Sequence, residues 1–146
     1  MERLITNVVA PIDFSEPSKR TARYAAGLAR RLGASLHLVH VLDEERLYQE
    51  TRMQLAALGA TLQMPKRRLS VEVRTGPVAE SITQAAIDYG ADLVVMATHG
   101  RTGLSHLLMG SVAERVIRTA RCPVLVVRAC GQVHVHNAGT ESMKVA

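Results

Sequence analysis

Apolar and polar residues follow two different periods that alternate along the chain. Ile5 to Ile12 is a mostly apolar run containing Val8-Val9. Its length and β-branched content predict a buried strand. Next comes Ser15, a good helix cap, with Pro17 in a position that the first turn tolerates. Ala22, Ala25, Ala26, Ala29 and Leu32 then recur at helical spacing, and Gly33 is a helix stop. Ser35 to Leu42 predicts a second strand. Leu47, Thr51, Leu55, Leu58 and Leu62 mark one face of a second helix, ended by Pro65. From Leu69 to Arg74 the residues alternate Leu, Val, Val against Ser, Glu, Arg, the pattern of a half-buried strand near a sheet edge. Gly76-Pro77 opens a third helix facing inward with Val78, Ile82, Ala85, Ala86 and Tyr89, and Gly90 stops it. Ala91 to Thr98 predicts a central strand, residues 99–110 a loop, Ser111 to Ala120 a fourth helix and Pro123 to Val127 a fifth strand.

Strands separated by helices pair in parallel with right-handed crossovers. The expected fold class is therefore α/β: a single-domain open doubly wound sheet of five parallel strands, order 3-2-1-4-5, with helices on both faces. The domain is expected over residues 1–129. Residues 130–146 are polar and contain glycine, and read as a loosely held tail. Composition agrees. The chain has 146 residues, no Trp and one Phe, so Val, Leu, Ile, Ala and Met must build the core.

Charge and cysteine content narrow the picture less. A net charge of +5 favours anionic partners without saying where they bind. The dense basic run Lys66-Arg67-Arg68 has no interleaved aromatics for base stacking and reads as a solvated turn, so nucleic acid is not the expected partner. No apolar run nears the roughly 18 residues a membrane span needs, and the first residues lack a signal-peptide core. The expectation is a cytoplasmic protein with no membrane partner. Cys122 opens an apolar run and reads as a buried thiol, while Cys130 falls near the tail. His134 and His136 form a His-Xaa-His pair with no further ligands in sequence, so no metal site is assigned there.

Ligands of open parallel sheets bind beyond the C-terminal strand ends, where strand order reverses. That points to the loops after the first and fourth strands. The first carries Pro11, Ile12 and Asp13. The second carries Ala97, Thr98, His99, Gly100, Arg101, Gly103, His106, Gly110 and Ser111. Its glycines let backbone approach a ligand, and Gly110-Ser111 stands at a helix N-terminus, where N–H groups and the dipole attract anions. Each residue has a plainer reading. Ser111 with Glu114 fits a capping box, so Ser111 either caps its helix, contacts phosphate or does both. His99 and His106 read more simply as loop-shaping residues than as catalysts. Asp13 is either a turn carboxylate, or an acceptor for a base or ribose and an outer-shell group for Mg²⁺. No GxxxxGK[ST] loop is present, no GxGxxG follows the first strand, and the third strand ends in Arg74-Thr75-Gly76 instead of the Asp a phosphoacceptor domain requires.

Taken together, VVAPIDFS at 8–15, GPVAESI at 76–82, THGRTGL at 98–104, GSVAE at 110–114 and CPVLVV at 122–127 resemble the universal stress proteins, over residues 5–128. The ATP-binding branch of that family carries Gly, two residues, Gly, nine residues, then Gly-Ser or Gly-Thr. Gly100, Gly110 and Ser111 match, and Ala97 stands where the first glycine belongs. The resemblance implies an adenine nucleotide alpha hydrolase-like fold and ATP as ligand, with Mg²⁺ as its companion. It implies that Pro11, Ile12, Asp13 and Val41 border adenine and ribose. Ala97 to Arg101, Gly103, and Gly110 to Val112 would hold the phosphates. It also implies a homodimer through the fifth strand, Val124–Val127, and a role in stress regulation with slow ATP hydrolysis at most. Two alternatives stay open: a member that does not bind ATP and acts as an interaction module, which Ala97 would favour, and a slow ATPase.

Overall fold

The computed structural model describes residues 4–98, 109–128, 133–138 and 140–145, the last six by the path of their backbone. Strand β1 (Asn7–Pro11) is followed by α1 (Glu16–Leu32), β2 (Ser35–Leu42), α2 (Tyr48–Ala60), β3 (Leu69–Thr75), α3 (Val78–Asp88), β4 (Leu93–Ala97), α4 (Ser111–Thr119) and β5 (Val124–Val127). Two strands absent from the sequence reading follow, β6 (Val133–Asn137) and β7 (Thr140–Val145). Sheet order is β3-β2-β1-β4-β5-β6-β7. The first five strands are parallel and in the expected order, and β1 is registered between β2 (Val9 opposite His37) and β4 (Val9 opposite Val94).

The central parallel strands are buried on both faces, while β3 at the sheet edge is only half-buried. Val8 and Ala10 join Leu36, Leu38, Val95 and Leu125 beneath the alanine-lined side of α1, while Val9, Val39, Val94, Met96 and Val126 pack beneath α3 and α4. Ala22, Ala25 and Ala29 are wholly buried, which lets α1 lie close to the sheet. Its ends are well made: Ser15 Oγ accepts from Ser18 N–H, and Gly33 closes the helix in the left-handed conformation at φ 66°.

The tail departs from expectation. β6 pairs antiparallel with β5, Leu125 opposite Val135 and Val127 opposite Val133, and β7 pairs antiparallel with β6. The reason is legible afterwards. VHVHN alternates, and Val133 and Val135 pack against the α1-side core. A run of four alternating residues after Gly131 is too short to outweigh its polar surroundings on the page, so it reads as tail. The same pairing bears on the strand through which the resemblance implies a homodimer. The outer edge of Val124–Val127, which a partner strand would need, is already hydrogen-bonded to β6.

A half-buried polar network crosses the lower part of the sheet. His37 Nδ1 lies 2.6 Å from Ser70 Oγ and Nε2 lies 3.0 Å from Asn7 Oδ1, and the ring stacks on Tyr89 with centroids 4.1 Å apart. Tyr89 donates its hydroxyl to Glu72 at 2.6 Å. Burial holds the His37 pKa below the usual 6.5, against an opposing pull from the Glu72 charge. His136 is lowered by burial, with His134 and Arg128 adding to it. A histidine whose folded pKa is depressed takes up its proton more readily when unfolded. Its contribution is therefore complete above about pH 6.5 and is lost as pH falls below that value toward the folded pKa. Urea unfolding is expected to show a lower midpoint near pH 5 than near pH 7, and His37→Gln should shrink that drop. An unchanged drop would remove His37 from the explanation.

Candidate functional site

β1 ends where the chain must leave a buried sheet and enter α1, and four hydrogen bonds among Asp13, Ser15 and Ser18 shape that exit. Asp13 Oδ1 accepts from Ser15 N–H at 2.9 Å and from the Ser15 hydroxyl. Asp13 N–H donates to Ser18 Oγ at 3.3 Å, and Ser18 Oγ donates to Ser15 O at 3.0 Å. Phe14, between them, is held at φ 64°, a region L-residues seldom enter. Its ring lies 4.8 Å from that of His40, and His40 Nδ1 sits 2.6 Å from Ile12 O. A carbonyl only accepts, so Nδ1 carries the proton in this contact. The turn reading of Asp13 is thus observed, and the turn's geometry presents the Pro11–Phe14 backbone to the space above the sheet.

The other half of the site is tied by backbone. Thr98 N–H and hydroxyl both donate to Val127 O, at 3.3 and 3.1 Å. Gly110 N–H donates to Thr98 O at 2.8 Å. This last bond brings the start of α4 against the end of β4. α4 begins at Ser111 with Gly110 as its cap residue, and no side chain caps it. The capping box expected from Ser111 and Glu114 is therefore not formed: Ser111 is one residue inside the helix and exposed. The first N–H groups of any α-helix have no partner within the helix, and here they open onto the same space.

Between the two halves lies a cleft of about 690 Å³ at the C-terminal ends of β1, β2 and β4. That is the size of a small-molecule site. Of the expected site residues it brings together Pro11, Ile12, Asp13, Val41, Ala97, Thr98, Gly110, Ser111 and Val112. His99, Gly100, Arg101 and Gly103, with His106, lie outside the described residues. Ala97 is a regular strand residue, opposite Val127 in β5, and is not among the positive-φ positions. An alanine there carries no backbone strain. Sequence reasoning missed His40, Ser18 and an acidic wall of Asp43, Glu44 and Glu50. A histidine interrupting the apolar run of β2 was the available signal for the first. The acids follow β2 in a stretch with no motif of its own.

A second depression, between β3 and α3, has a larger volume, about 880 Å³, but lies open along the surface. Its Arg74 is already engaged: Nη2 meets Asp88 at 2.8 Å and Glu72 at 3.3 Å. The cleft at the strand ends, onto which the first turn of α4 opens, is the better-built site.

The profile of the universal stress protein family matches residues 5–128. The chain belongs to that family. Universal stress protein MJ0531 of Methanocaldococcus jannaschii is 34% identical over 143 residues, covering 87% of this chain and 84% of the relative. Among solved structures, MJ0577, described in a structure-based assignment of biochemical function, superposes with a TM-score of 0.75 at 27% identity, covering 86% of this chain and 97% of its own. A universal stress protein solved in complex with cAMP gives 0.71 at 21% identity (86% and 98% covered). One from Archaeoglobus fulgidus in complex with dAMP gives 0.64 at 23% (85% and 98%). At those last identities the likeness speaks for the shared fold.

The geometry makes His40 a structural support of the cleft. His40→Leu keeps the volume roughly but leaves the buried Ile12 carbonyl without this donor. A loss of about 1–3 kcal/mol in unfolding free energy is expected, read from the urea midpoint. A loss under a few tenths would mean that the contact carries no weight.

Proposed function

We propose that this chain binds an adenine nucleotide, ATP included, in the cleft above β1, β2 and β4, and acts as a cytoplasmic stress-response regulator. The observation that carries the reading is the opening of the α4 N-terminus, Gly110 to Ala113, onto a cleft whose opposite wall is acidic. An anion is favoured at the helix end by the N–H groups and the dipole. It is disfavoured beside Asp43, Glu44 and Glu50, where sugar hydroxyls and a base amino group can donate instead. The two walls orient a nucleotide with phosphates toward Gly110 and base and ribose toward β1 and β2. Relatives of the same fold solved with cAMP and dAMP support an adenine nucleotide as the ligand class. Mg²⁺ in this reading is held chiefly by phosphate and water, with the Asp13 carboxylate in its outer shell. Ala97 in unstrained strand geometry weakens the case for a member that does not bind ATP.

Calorimetry with ATP and Mg²⁺ tests this on three proteins. Gly110→Val puts a branched side chain where backbone faces ligand, and should weaken binding at least about tenfold, near 1.4 kcal/mol. Ala97→Gly restores the residue of the family pattern and should change affinity by less than about twofold, because the strand already accommodates alanine. Equal affinity of wild type and Gly110→Val, or a large gain from Ala97→Gly, would overturn the assignment.

A further inference from the structure

The end of the molecule opposite the cleft has a character that the sequence concealed. All parallel strands start there, and α1 ends there with Arg30, Arg31 and an exposed Leu32. The turn Lys66–Arg68 enters β3 at the same end, since Leu69 pairs with Leu36 at the start of β2. The two segments touch. Arg30 donates to Leu62 O, and Arg68 Nη1 lies 3.8 Å from the position a Gly33 Cβ would occupy. Sequence positions 30–31 and 66–68 thus bring five cations to this one end of the sheet. None of the five has an acidic partner among the described residues, whose ion pairs use Lys19, Arg46, Arg74, Arg115 and Arg118. Leu4, 78% exposed, leaves the sheet beside them, because Thr6 O accepts from Ser35 N–H just past Gly33.

Acidic residues gather at the other end. Glu16, Glu50, Glu80 and Glu114 occupy the first turns of the four helices, and Asp13 and Asp43 follow β1 and β2. Of the acids at the basic end, Asp88 is paired with Arg74 and Asp92 accepts from Thr6 and Asn7 N–H.

We propose that this basic end is a peripheral docking surface for an anionic lipid bilayer, reversible and independent of the nucleotide reading. Clustered Lys and Arg are drawn to anionic headgroups, each raising partitioning about fivefold. Stable anchoring needs a second, apolar signal, and the two protruding leucines Leu4 and Leu32 supply it. The leucines choose a bilayer over a nucleic acid, whose phosphate backbone gives a leucine nothing to bury against. The cleft, at the acidic end, stays open to solvent when the basic end is seated.

Co-sedimentation with vesicles tests the surface on the intact chain. The protein should pellet with mixed phosphatidylcholine–phosphatidylglycerol vesicles, stay in the supernatant with pure phosphatidylcholine, and be released by high salt. Arg31→Gln with Arg67→Gln, both exposed positions, should lower partitioning about 25-fold, and Leu32→Ser roughly tenfold. The thermal midpoint of each variant should match that of wild type. Pelleting with neither vesicle, or equally with both, overturns the proposal. So does full binding by Leu32→Ser, or a DNA duplex that binds at the same ionic strength and displaces the protein from vesicles.

Discussion

Parallel pairing is the constraint from which the rest of the molecule follows. When five strands all point one way, every strand ends at one end of the sheet, and every connecting helix begins there. That end collects helix N-termini and the turns leading into them. The other collects helix C-termini and strand starts. Side chains follow the backbone dipoles, with acids in the first turns and Arg30, Arg31 and Arg118 in last turns. A cleft at the start of α4 and a cationic surface at the opposite end are two results of one topology.

The cleft also depends on strain that its neighbours hold in place. Phe14 stays in the left-handed region because Asp13, Ser15 and Ser18 fix the turn around it and His40 meets its ring. Residues in such conformations persist where surrounding structure determines them, and they cluster at binding sites. The bond from Gly110 N–H to Thr98 O does the same on the other side. At both of these points the chain is fixed by backbone groups and short side chains.

The sequence made much of this legible, for a physical reason. Periodicity reports burial, and residues buried on both faces of a parallel sheet leave unbroken apolar runs, as in β4 and β5. Ser15 and Gly33 mark the ends of α1 because capping is local chemistry. Strand β6 was missed because its alternation of Val and His runs for only four residues, and β7, at the sheet edge, because TESMKV lies in a polar stretch. With β6 in place, the β5 edge expected to join two copies is covered. Ser111 was read as a possible cap because the pattern matches, but the helix begins one residue earlier than that box requires. His40 and the acidic wall were invisible because their roles arise from elements that pair only in the fold. The same holds for the five cations, brought to one end from segments more than thirty residues apart. A turn of three cations is ordinary on the page; five at one end of the sheet are not.

Amide chemical-shift mapping on addition of ATP and Mg²⁺ tests the central claim most directly, because it reports position without any substitution. The account predicts that shifts concentrate at Ile12 to Phe14, Val41 to Asp43, Ala97, Thr98 and Gly110 to Ala113, the two walls of the cleft, while Glu72 to Ser81 stay unchanged. Shifts concentrated in the depression between β3 and α3, or none at saturating nucleotide, would contradict it.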